Sequence, residues 1–194
     1  MEPFAADARL QEQMPASEPS PAVIPARPPA ELDLPEVVRR AQLGSHAAFE
    51  SLALAYGARL HRFIALRVGP AADARDVLQE TLVAAWRSLP SLQDAERFWP
   101  WLAGIAANKA ADAHRRHRPT AELDPELAGA SGVGGTLEVR EALAALPPAM
   151  REVVLLRFLL RLSEAETAAA LGVRVGTVKS RAARARRALE EALR

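Results

Sequence analysis

The stretch "GVRVGTVKSRAARARRALEEAL", Gly172–Leu193, decides the fold. On a helical wheel Val178, Ala182, Ala185 and Leu189 form a narrow apolar stripe that must face a core. Opposite them fall Gly176, Ser180, Ala183 and Arg187, flanked by Thr177, Lys179 and Arg184. Small residues along the centre let the backbone come close to a groove, while the long cations at the margins reach phosphates or base edges. A merely solvated face mixes its signs. Here no acid stands between Glu166 and Glu190, whereas Arg174, Lys179, Arg181, Arg184, Arg186 and Arg187 all do. We read this face as one that binds DNA.

The residues just upstream fit that reading. Ser163 and Glu166 have capping-box spacing, so a short helix starts there and stops at Leu171-Gly172. A short helix, a glycine-containing turn and a second helix make a helix-turn-helix. Further upstream, helices are expected over about 136–146 and 148–161, ahead of those at 163–171 and 175–192.

A second helical block precedes this one. "ELDLPEVVRRAQLG" stops at Gly44, and the next helix has Ser45 as its N-cap and Gly69 as its terminator. Phe49, Leu52, Ala53, Tyr56, Leu60, Phe63 and Ile64 recur along it at helical spacing. "AADARDVLQETLVAAWRSLP" is the most regular segment, with Ala74, Val77, Leu78, Thr81, Leu82, Ala85 and Trp86 on one face and Pro90 at its end. Its outer face carries Asp76, Gln79, Glu80 and Arg87 around an apolar Val83. After the polar loop "SLQDAER" comes "FWPWLAGIAANKAADAHRRHRP", with Pro100 in its first turn and Pro119 closing it. Trp101, Leu102, Ile105 and Ala106 anchor its first half, and its second half ends in Lys109, Arg115, Arg116 and Arg118. Asn108, Asp112 and Arg115 share one stripe there. Two basic elements on separate blocks can grip two separated stretches of one DNA.

No segment reads as a strand. The expected architecture is all-α: two small helical domains over 35–118 and 136–194, joined by an acidic, flexible linker over 119–135. Residues 1–34 form a proline-rich leader with no helical or strand period, expected to be disordered. Six acids against two bases put residues 1–35 at −4, so the net +1 of the 194-residue chain leaves +5 on the rest. Cysteine is absent, which excludes disulfides, thiolate metal sites and cysteine nucleophiles. His46, His61, His114 and His117 make no metal constellation, so neither a metal nor a cofactor is expected. No phosphate loop or nucleophile elbow is present, and an enzyme is not expected. The N-terminus is no secretory signal and the longest apolar run, "VVLLRFLL", is broken by Arg157, so a cytoplasmic protein is expected.

"ARDVLQETLVAAW", "FWPWLAGIAANKAADAHRR" and "LPPAMREVVLLRFLLRLSEAETAAALGVRVGTVKSRAARARRAL" together resemble bacterial sigma factors of the sigma-70 family, in the extracytoplasmic-function class. The resemblance spans roughly 36–118 and 137–192, and implies domains two and four of that family. It implies that Asp76, Gln79, Glu80 and Val83 dock on the clamp helices of the RNA polymerase β′ subunit, with the β flap a further contact. The loop Ser91–Arg97 and the helix bearing Asn108, Lys109, Asp112, Arg115 and Arg116 would read and open the −10 element. Thr177, Lys179, Ser180, Ala183, Arg184 and Arg187 would enter the major groove at the −35 element, and the acidic linker (Glu122, Asp124, Glu126) would thread the polymerase cleft. The class is often held inactive by an anti-sigma partner.

The chain departs from the family at Arg161, where glycine is usual, and at Thr167, where an aliphatic residue is common. Ala183 stands where a bulky residue is frequent. The alternative function is a stand-alone helix-turn-helix regulator binding DNA as a dimer. That requires a self-complementary apolar patch, and the chain has no heptad seam and no long apolar helix surplus to the core.

Overall fold

A computed structural model describes residues 33–69, 72–116 and 137–194. The leader over 1–32 and the linker, with His117, Arg118 and Pro119, lie outside the described residues. Eight α-helices are described. α1 (Leu34–Gln42) is capped by Asp33, whose carboxylate accepts from the Glu36 amide. α2 (His46–Val68) starts where expected, with the Ser45 hydroxyl accepting from Ala48 N at 3.3 Å. It stops at Gly69, whose φ of 61° suits a residue without Cβ. α3 (Ala74–Ser88) is capped by Asp73 and passes into a 3₁₀ turn over Leu89–Ser91. A second 3₁₀ turn, Ala95–Arg97, leads into α4 (Phe98–Arg116).

Leu52, Tyr56, Leu60, Phe63 and Ile64 of α2 are buried against Val77 and Ala85 of α3 and Leu102, Ala103, Ala106 and Ala110 of α4. Thr81 lies on the buried stripe of α3 because its hydroxyl donates to Val77 O at 2.7 Å, leaving a methyl for the core. Alanines dominate the inner face of α4, which lets α2 and α3 pack closely on it.

In the second block α5 (Leu137–Ala145) and α6 (Pro148–Val154) follow the expected order. The helix expected to reach residue 161 instead widens into a π turn over Leu155–Leu159. In an α-helix Leu160 would point about 140° away from Leu155. The wider turn, with Leu160 N donating to Leu155 O at 3.0 Å, brings Leu155, Leu156, Leu160 and Leu162 all into the core. Arg161 then sits at φ 57°, in the left-handed region, which explains physically why glycine is usual there. α7 (Glu164–Leu171) opens with the full capping box, Ser163 and Glu166 exchanging hydrogen bonds at 2.6 and 3.2 Å. Gly172, at φ 62°, ends it, and α8 (Val175–Ala192) completes the helix-turn-helix.

Both family departures leave physical marks. The Thr167 side chain is fully buried and its hydroxyl lacks a hydrogen-bond partner. Thr167→Val should raise stability by about 1–2 kcal/mol, because an unpaired buried hydroxyl carries its full desolvation cost. Arg161→Gly should add about 1 kcal/mol by relieving the left-handed backbone. It also removes a cation that disfavours the charge on Arg59, whose guanidinium burial already holds below its ordinary pKa. Urea titration of each variant checks both values; a loss of stability in either would contradict the account.

The two blocks do not stand apart. Leu155, Leu156, Leu160 and Leu162 belong to the same buried cluster as α2 and α4, and α7 lies along α4. Trp99 Nε1 donates to Leu160 O at 3.0 Å, and Arg67 Nε meets Glu152 Oε1 at 3.3 Å with both side chains largely buried.

Candidate functional site

α8 turns Val178 and Ala185 fully inward, with Ala182 and Leu189 half-buried beside them. Val178 packs with Val153 and Ala168, and Ala185 with Leu146 and Val154. Fixing that stripe points the opposite side outward. Lys179, Ser180, Ala183, Arg184 and Arg187 are exposed and Thr177 is half-buried at the helix start. Ser180 donates to Thr177 O at 3.1 Å, and Arg184 Nε reaches back to Ser180 O at 3.3 Å. Lys179 Nζ lies 3.6 Å from the Glu164 carboxylate of α7, a contact between exposed groups that solvent screens and a phosphate can displace. The outer side of α8 thus carries exposed Gly176, Ser180 and Ala183 with the exposed cations Lys179, Arg184 and Arg187 around them.

α3 presents Asp76 and Gln79 exposed, Glu80 half-buried and Val83 44% exposed. The five α4 candidates do not act as one stripe. Asn108 and Arg115 are exposed, and Asp112 pairs with Arg115 one turn on. Lys109 and Arg116 lean the other way, onto α3, where their nitrogens lie 3.7 and 3.3 Å from the Glu80 carboxylate. A shallow recess results, lined by Asp76, Gln79, Glu80, Val83, Lys109 and Arg116. The acidic face and part of the basic helix are thus electrostatically joined: Glu80 holds two cations that the sequence reading placed on DNA.

Sequence reasoning missed three elements. Gln42, at the end of α1, donates to Leu89 O at 3.2 Å and Leu92 O at 2.7 Å, and so holds the entrance of the Ser91–Arg97 loop. Its only signal is a long amide side chain at a helix end. Trp99 is stacked on Tyr56, with centroids 4.8 Å apart and the Arg59 guanidinium over its ring at 5.5 Å, which orients the start of α4. The third is an apolar groove of about 710 Å³ lined by Val139, Leu143, Val154, Phe158, Leu189 and Leu193. Phe158 is 65% and Leu193 47% exposed. The groove is assembled from α5, the π turn and α8, so no single wheel displays it.

Residues 52–120 match the family described as Sigma-70 region 2 and residues 136–189 match Sigma-70, region 4. The ECF RNA polymerase sigma-E factor of Escherichia coli K12 is 33% identical over 174 residues, covering 79% of this chain and 91% of the relative. The ECF RNA polymerase sigma factor SigW of Bacillus subtilis is 27% identical over 184 residues, covering 84% and 98%. Among solved structures, CnrH in complex with the cytosolic domain of CnrY aligns with a TM-score of 0.66 at 32% identity, over 82% of this chain and 96% of CnrH. The sigma factor RpoE in complex with the anti-sigma factor NepR from Bartonella quintana aligns at 0.59 and 25% identity, over 75% and 96%. The helix-turn-helix at 164–192 and the acidic α3 therefore sit in one recognised framework, and the chain belongs to the extracytoplasmic-function class of sigma-70 family RNA polymerase sigma factors.

Proposed function

We propose that the chain acts as a dissociable promoter-recognition subunit of RNA polymerase, without catalysis of its own, and that its surfaces divide the work as follows. The outer face of α3, Asp76, Gln79 and Val83 with Glu80 behind them, docks on the β′ clamp helices. The Ser91–Arg97 loop and the outer side of α4, with Asn108, Asp112 and Arg115, take the −10 element. Lys109 and Arg116 stand between the two surfaces and join the DNA contact when polymerase draws on Glu80. Thr177, Lys179, Ser180, Ala183, Arg184 and Arg187 enter the major groove at the −35 element. The apolar groove beside Phe158 receives the β flap. The observation that carries this reading is one chain bearing both an exposed acidic face with an apolar centre and, on a different block, an acid-free cationic recognition face.

Opening the −10 element costs a few kcal/mol for each base taken from the stack. Two small domains do not offset that cost alone, so docking on polymerase, which fixes their spacing, is a requirement of the mechanism. A mobility-shift experiment tests it. Promoter fragments should show negligible specific retardation with the isolated chain and clear, salt-sensitive retardation when core polymerase is added. Tight, sequence-specific binding by the isolated chain would favour the dimeric-regulator alternative, with the Phe158 groove as its seam.

A further inference from the structure

Of the 25 lysines and arginines in the chain, only Lys109 and Lys179 are lysines. A guanidinium stays charged under all ordinary conditions, whereas a lysine amine loses its charge when it takes an acyl group. The chain therefore has two side chains at which acylation removes a cation, and each lies on a surface assigned to DNA. Their settings differ. The Lys109 side chain is 34% exposed and shares the Glu80 carboxylate with Arg116, at 3.7 and 3.3 Å, so its neutralisation leaves Glu80 still paired. The Lys179 side chain is 64% exposed, and its Nζ lies 3.6 Å from Glu164, which has no other ion-pair partner among the described residues. Between Glu166 and Glu190 the chain around Lys179 holds five arginines and no acid.

We propose that Lys179 is a modification site, an acyl acceptor for small anionic acyl phosphates, and that its acylation switches off recognition of the −35 element. The proposal rests on the assignment of α8 to that element. Electrostatics brings the donor: a surface of one sign concentrates ions of the other, and an acyl phosphate is an anion. In the step, the Nζ lone pair of the neutral amine attacks the acyl carbon, the N–C bond forms and the C–O bond to phosphate breaks. Inorganic phosphate leaves with the electron pair, and the proton of the amine passes to water. The product is a neutral amide. Its effect is double. One cation is lost from the DNA face, and Glu164 is left as an unpaired anion next to it.

Incubation of the full-length chain with acetyl phosphate, followed by peptide mapping in a mass spectrometer, tests the site. Lys179 should be acetylated about fivefold or more faster than Lys109, and added salt should shrink that ratio by screening the exposed charges. N-hydroxysuccinimidyl acetate is uncharged, so its ratio should be smaller and insensitive to salt. Equal rates at the two lysines with acetyl phosphate, or one ratio for both reagents, would overturn the proposal. Combined with core polymerase, the acetylated chain should lose transcription from −35-dependent promoters by about fivefold or more, the worth of one base contact, and a lysine deacetylase should restore it. Lys179→Arg, compared before and after acetyl phosphate, should show no change; a loss as large as in the parent chain would place the effect at another group and refute the switch. In acetylated Glu164→Gln the unpaired anion is gone, and the loss should be about two- to threefold smaller. Full acetylation of Lys179 with undiminished transcription would refute the switch and leave α8 at the −35 element, provided that Lys179→Ala/Arg184→Ala still lowers transcription. If that double variant is silent as well, the −35 assignment itself fails.

Discussion

Asp76→Arg combined with Val83→Glu is expected to abolish co-purification with core RNA polymerase while leaving the helical circular-dichroism signal and the urea midpoint in place. Asp76 is exposed and Val83 is 44% exposed, and neither belongs to the buried core of the first block. Within an interface the same two positions change meaning. An apolar centre ringed by polar groups is where truncation costs most, typically 2 kcal/mol or more per anchor, and a charge buried there without a partner costs further. About 3–5 kcal/mol in total corresponds to roughly a 10²–10⁴-fold loss of affinity. Glu80 is left untouched because Lys109 and Arg116 lie 3.7 and 3.3 Å from its carboxylate. Reversing Glu80 would set three cations together and disturb α4, so a loss of binding in that variant would not report on docking alone. Retained co-purification by the Asp76/Val83 variant would remove α3 from the polymerase contact.

Lys179→Ala with Arg184→Ala is the second large effect. Both side chains are exposed on the outer face of α8 and neither touches the Val178–Ala185 stripe. Each lost base-specific contact costs about 1–3 kcal/mol, so transcription from −35-dependent promoters should fall by roughly 30-fold or more. Polymerase association should be unchanged, because the docking face lies on another helix. Two outcomes distinguish base reading from phosphate contact. Relaxed discrimination among −35 sequences indicates base reading, while a uniform loss with a shallower salt dependence indicates phosphates. A promoter profile identical to that of the parent chain would sink the groove assignment. Lys179 also lies 3.6 Å from Glu164, but both groups are exposed, so loss of that pair should leave stability within the small range of surface ion pairs.

These expectations separate binding from folding because the outer faces and the core stripes are different residues on the same helices. Alanines on the inner side of α4 set its distance from α2 and α3, while Asn108 and Arg115 on the outer side remain open to a ligand. The Thr167 and Arg161 substitutions act on the opposite side of this division: they change stability and leave the outward faces as they are.

Much was legible in the sequence because helices carry their own punctuation and period. Ser45 and Gly69 bound α2, Ser163 and Glu166 start α7, and the Val178–Ala185 stripe orients α8, all through contacts within a few residues in the chain. The two-block, all-helical architecture and the outward direction of the cationic face follow from such local rules. Tertiary structure decided the rest, since it depends on partners distant in sequence. Glu80 draws Lys109 and Arg116 away from the Asn108 side, Gln42 reaches across to Leu89 and Leu92, and the π turn forms so that leucines five positions apart can share one core. The seam between Gly104 and Ala170 and the groove beside Phe158 belong to this second kind. Each is a surface made by juxtaposing elements, and a periodicity read along one helix carries no information about what another helix brings to meet it.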